Sequence, residues 1–233
     1  MSAANAFIIL LVAFLVPMKD AAIALDPTLE KTGAVTSGGS EDTHEDHRDH
    51  GLVVFEDFPD DPKFIQPDIR PYMSEIIKKH GHEEWKFCVL TSEIHQHLGI
   101  YSIVGVKMGL KAIEYFGVGV DELQVISFAG DKPPVSCLND GIQVSTGATL
   151  GHGTISIAET SNAQPEASFT HNGRTVQIRL NPEYLKRIKA DISKGIQQHG
   201  NQTEAYFDFV RQLAIGYWVE MDRQQIFEIQ ETD

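Results

Sequence analysis

The chain has 233 residues, 42% of them hydrophobic and 22% charged, which suits one or two globular domains and excludes a fibrous or wholly disordered protein. Lys and Arg number 19 against 33 Asp and Glu, a net charge of −14 that repels phosphate backbones and argues against a nucleic acid partner. The acidity is uneven: Asp26 to Asp61 holds 11 acids and 2 bases, whereas Pro62 to the end holds 21 acids and 16 bases.

In chain order, Phe7 to Met18 is a short apolar run followed by Ala22-Ile23-Ala24, the small-x-small pattern of signal peptidase sites. It reads as a signal peptide over 1–24, although no Lys or Arg precedes it. The run is short for a membrane helix, so the expectation is an exported protein, periplasmic or extracellular, with no stable membrane insertion after cleavage. The competing reading is an uncleaved interfacial anchor. Residues 25–61 are polar and acidic and read as a disordered linker. His44, His47 and His50 recur in it among acids, either as a loose metal-binding tract or as a solvated tail.

The folded domain is expected over 62–233. Gly51 to Pro71 carries four prolines and reads as a surface loop. Ile69 to His80 has helical spacing and a stop at Gly81. Trp85 to Leu90, rich in aromatic and branched residues, reads as a strand. Ser102 to Phe116 is expected as a buried helix capped by Ser102 and ended by Gly117. Glycines cost a helix about 1 kcal/mol each, so Gly105 and Gly109 point to a close backbone approach. Leu123 to Ala129 and Thr154 to Ala158 read as strands, and Ile142 to Thr146 as either a helix or an extended run. Asn172-Gly173 joins Ala167–Thr170 and Arg174–Leu180 as a hairpin. Asn181-Pro182 opens a helix running to about Gln198. A last helix is expected from about Thr203 to Met221. The sum is a single α+β domain with a mixed, largely antiparallel sheet flanked by helices.

Three segments carry candidate chemistry. His95-Gln96-His97 precedes the buried helix. If extended, it turns both imidazoles to one side, a donor pair suited to Zn, Ni, Cu or Fe. Pro133-Pro134 leads through a rigid loop to Cys137, with Asp140 three residues on. Cys137 reads as a metal ligand or nucleophile, as half of a disulfide with Cys88, or as an inert thiol. The glycines at 147, 151 and 153 surround His152, as an approach to a ligand or as a tight turn.

In this order the segments resemble the FmdE family of formylmethanofuran dehydrogenase proteins. His95, His97 and Gly105 match its first motif. Cys137, Asp140, Ile142, Gln143, Thr146, Gly147, Thr149, Gly151 and Gly153 match its second. The likeness covers His95 to Ile157 and returns at Gln225 to Glu228. Where the family has Cys-Pro-Gly the chain has Gly99-Ile100-Tyr101. Ala148 stands for a second cysteine, His152 for a lysine and Gly141 for an alanine. The resemblance implies metal ligation by His97 and Cys137, with His95 as a third ligand and His152 as a possible substitute.

The ion expected is a divalent transition metal, zinc first, with nickel or iron also suited to these donors. Tyr101, Gly151 and Gly153 are expected to line the pocket. The first expectation for function is an exported protein holding a metal, a metallocofactor or a small ligand. The second is a metal-dependent enzyme of hydrolytic or carbonyl chemistry, with Asp140 or His152 as proton carrier and the 149–154 loop closing the pocket. A redox accessory role ranks last, because two cysteines give no cluster spacing. A homodimer is left open.

Overall fold

The structure, a computed structural model, describes residues 53–232, all within one compact unit of the chain. The segment read as a signal peptide and the His44–His50 tract fall outside the described residues. Residues 53–72 run over the surface with two single helical turns, Pro62–Phe64 and Arg70–Tyr72, and bury Phe58.

Helix α1 (Met73–His80) ends at Gly81, whose φ of 91° suits glycine and whose N–H caps Ile77 O. Helix α2 (His82–His95) replaces the strand expected over Trp85–Leu90. Its buried residues Glu84, Trp85, Phe87, Cys88 and Thr91 mark one helical face. In so short an apolar run, branched and aromatic residues satisfy either element, and packing against neighbouring helices decides. Helix α3 (Ile100–Phe116) is buried along most of its length and ends at Gly117 with φ 65°. Ser102 does not cap it. Gly99 holds that position, and the Ser102 hydroxyl donates to Gly99 O at 2.8 Å.

The undecided run at 142–146 belongs to helix α4 (Leu138–Thr146). Helices α3 and α4 cross almost backbone to backbone. A Cβ at Gly105 would overlap the Leu138 carbonyl, and one at Gly141 would overlap that of Ser102. The close approach expected from Gly105 is therefore present, and Gly141 is its counterpart.

Five strands form one sheet in the order β2-β1-β3-β4-β5. Strand β1 (Gln124–Ser127) runs parallel to β2 (Ile155–Ile157), with α4 in the connection. On its other side it pairs antiparallel with β3 (Glu166–His171), Val125 opposite Phe169. Strands β3 and β4 (Arg174–Leu180) form the expected hairpin, with Asn172 and Gly173 at φ 49° and 78°. The closing strand β5 (Phe227–Thr232) was not legible in the sequence, because its exposed positions are mostly polar. Helix α5 (Pro182–His199) is capped by Asn181, whose side chain accepts from Glu183 N–H. Helix α6 (Glu204–Glu220) is capped by Thr203.

A charged cluster sits inside this core. Lys107 on α3 is fully buried and donates to Glu84 at 2.5 Å and to Met221 O at 2.7 Å. Arg223 reaches the other Glu84 oxygen at 3.1 Å and pairs with Glu114. Burial lowers the Lys107 pKa, while Glu84 opposes that shift. Beside the cluster, Trp85 and Trp218 stack with ring centroids 5.1 Å apart.

Candidate metal centre

His95 is the last residue of α2, and Gln96 leaves the helix in the left-handed conformation, φ 60°. His97 follows, and the two imidazoles lie 4.1 Å apart between centroids. The pairing expected from an extended segment is thus produced by a helix end instead. Residues two apart on a continuing helix would not face each other.

Helix α4 supplies the other half. The loop through Pro133-Pro134 leads into a single turn, Val135–Cys137, which places Cys137 just before α4 and Asp140 in its first turn. Asp140 Oδ2 lies 2.8 Å from His95 Nδ1. The opposite nitrogen, His95 Nε2, is buried and has no hydrogen-bond partner. Cys137 lies close enough to favour the charged ring but outside hydrogen-bond geometry to Nε2. The Asp140 carboxylate first, then Cys137, raise the His95 pKa to about 9. His97 moves the opposite way, its pKa lowered by burial and by the neighbouring His95 charge. Its Nδ1 lies 3.2 Å from His95 O; donating there would leave Nε2 free.

Two cavities meet at this cluster and share His95, Pro133 and Cys137 as wall. One, of about 490 Å3, is mainly apolar and runs from the imidazoles past Tyr101 to Ile192, Ile196, Tyr206 and Phe207. Among the described residues no Asp, Glu, Lys or Arg lines it. Tyr101 lines it as expected; the ring is 3% exposed, and burial pushes its hydroxyl pKa to about 12. The other, of about 330 Å3, is bordered by Asp140, Ser136, Asn139 and Gln143.

The structure therefore gathers His95, His97, Cys137 and Asp140 and leaves other candidates apart. His152 is exposed, its Nδ1 3.3 Å from Asp121 Oδ1, and lines neither cavity. Gly151 and Gly153 are also exposed and line neither. The turn holding all three is closed on itself by Thr149 and Thr154, with Thr149 N–H donating to Thr154 Oγ1. Proton carriage by His152 and pocket lining by the two glycines are thus not supported. The two cysteines are free, so no disulfide forms, and buried Cys88 has its thiol pKa driven well up by burial. Sequence reasoning missed the contact between Asp140 and His95 and the part played by α5 and α6, both of which depend on tertiary packing.

Do these residues fit a metal? Among the described residues, no three His, Cys, Asp or Glu side chains are arranged to hold an ion as they stand. The donor types nevertheless suit a borderline-soft cation. A histidine with one nitrogen held by a carboxylate and the other bare and buried is the usual second-sphere arrangement of a metal-ligating imidazole. The donor types and the held imidazole thus fit a metal, while the side chains as placed do not close around one.

Comparison with known proteins bears on the same stretch of chain. Residues 94–228, more than half of the chain, match the family described as "FmdE, Molybdenum formylmethanofuran dehydrogenase operon". A probable S-adenosyl-L-methionine-binding protein of Archaeoglobus fulgidus is 26% identical over 136 residues, 52% of this chain and 37% of its own length. The chain thus spans well under half of that relative. A solved tungsten formylmethanofuran dehydrogenase FmdE-like protein from Syntrophus aciditrophicus aligns at TM-score 0.39 and 17% identity, over 70% of this chain and 71% of its own.

Proposed function

The chain belongs to the FmdE family, and from that premise we propose that it is an exported metal-binding protein in which His95, His97 and Cys137 hold a divalent transition metal. The family is associated with the operon of a molybdenum enzyme, which agrees with a metal-related role. The observation that carries the reading is the buried, partnerless Nε2 of His95, held in place by Asp140 on the ring's other side. Two imidazoles and a thiolate leave a tetrahedral ion one open position, which favours zinc, with nickel or iron accepting the same donors. When bound, the metal would supply Lewis acidity at the inner end of the apolar chamber. The chamber selects an uncharged, largely apolar small ligand, with Tyr101 presenting a neutral hydroxyl. S-adenosyl-L-methionine, named for the archaeal relative, is strongly charged, and we do not assign it here. Export rests on residues 7–24 and predicts a mature protein lacking about the first 24 residues, which intact-mass measurement checks.

Elemental analysis of the purified chain tests the site. Stoichiometric metal is expected in the wild type, with loss in His97→Ala and Cys137→Ala. Retention by both variants would sink the assignment. A second reading, a metal-dependent enzyme, draws on one observation: Asp140 borders the second cavity while bonded to His95. Asp140→Asn with metal retained and turnover abolished would favour the enzyme. Metal loss in the same variant makes Asp140 a positioning residue.

A further inference from the structure

Gly99 follows His97 by two residues, holds the N-cap of α3 and lines the apolar chamber. Its backbone is extended, with φ −106° and ψ 146°, a conformation open to any residue, so the chain path does not call for glycine. The crowding around it does. A Cβ on Gly99 would stand 3.3 Å from His95 Nε2, the buried nitrogen without a partner, and 3.1 Å from Ser102 Oγ. Ser102 spends its hydroxyl hydrogen on Gly99 O, and a neutral hydroxyl is a poor donor to a borderline-soft ion. The open side of His95 therefore meets no ligating side chain from position 99, where the family motif carries a cysteine.

We propose that Gly99 sets the ligand specificity of the centre: by contributing no side chain it keeps one position of the ion for an outside donor, a neutral nitrogen or sulfur ligand on an apolar body that arrives through the chamber. This rests on the metal reading above. A borderline-soft cation prefers nitrogen and sulfur donors. Tyr101, Ile192, Ile196 and Phe207 offer the ligand's body an apolar wall, and among the described residues no Asp, Glu, Lys or Arg lines the chamber to hold a charge. Walls of this kind supply affinity by burial, and the ion supplies the one strong polar contact.

Purified full chain is loaded with cobalt(II), whose visible d–d bands report its coordination, and titrated near pH 8 with imidazole and with 4-phenylimidazole. The expected result is a saturable one-to-one band shift with each, 4-phenylimidazole binding at least tenfold tighter because the chamber buries its phenyl ring. Gly99→Ala, which adds a Cβ without a donor, is the steric control. Gly99→Cys adds the same Cβ with a thiol. It should bind cobalt at least tenfold tighter than Gly99→Ala, gain near-ultraviolet sulfur-to-cobalt absorption and no longer respond to either imidazole. Cobalt bound by the wild type without any response to the imidazoles overturns this proposal and leaves the metal reading standing, and that titration needs no variant to fold. Cobalt binding no tighter in Gly99→Cys than in Gly99→Ala overturns it too, as do equal wild-type affinities for the two imidazoles, which remove the chamber from the ligand's path. No cobalt in the wild type overturns the metal reading and this proposal together.

Discussion

At the scale of single residues, the pKa values of His95 and His97 are pushed in opposite directions within three positions. Asp140 and Cys137 raise the first to about 9, and burial with the adjoining charge lowers the second. A histidine titrates near 6.5 in an unfolded chain. The His95 contribution to stability is therefore complete below about pH 6.5 and lost as pH rises through about 9. Metal-free protein should show a thermal midpoint that declines across that window, and Asp140→Asn should flatten the decline. An unchanged slope in the variant would show that the carboxylate is not its source. Metal uptake near pH 7 should release the His95 proton, measurable as buffer-dependent heat. The two histidines, the cysteine and the aspartate were all legible as motif residues. Their mutual contacts were not, because Asp140 meets His95 only after α2 and α4 have docked across 45 residues of chain.

Among elements, the crossing of α3 and α4 decides whether the two halves of the site meet. Gly105→Ala places a methyl group against the Leu138 carbonyl and should cost about 1–3 kcal/mol in urea unfolding. Gly216 in α6 has open space around it, and Gly216→Ala should instead gain about 1 kcal/mol through helix propensity. Equal effects at the two sites would remove the case for a close crossing. Glycine spacing on a buried helix pointed to this contact in advance. Trp85–Leu90 misled because its residue types suit a strand while its burial follows a helix. Strand β5 escaped because an outer strand facing solvent has little apolar periodicity.

For the whole molecule, the buried cluster of Glu84, Lys107 and Arg223 joins α2, α3 and the segment after α6. Lys107→Met leaves Glu84 with Arg223 and, at 3.8 Å, the His80 ring in a dry interior and should cost about 3–5 kcal/mol. Adding Glu84→Leu should recover much of that loss. Additive losses in the double variant would mean that the pair is not coupled. Sequence alone could not place this lysine's partner, which lies 23 residues away on another helix. Positions 105 and 107, near neighbours on α3, grip α4 through Gly141 and α2 through Glu84, the helices that deliver the sulfur and the first imidazole. Coordination and cohesion would then be coupled. An ion drawn between those helices fastens the interior, and starvation for it would first show as faster proteolytic clearance.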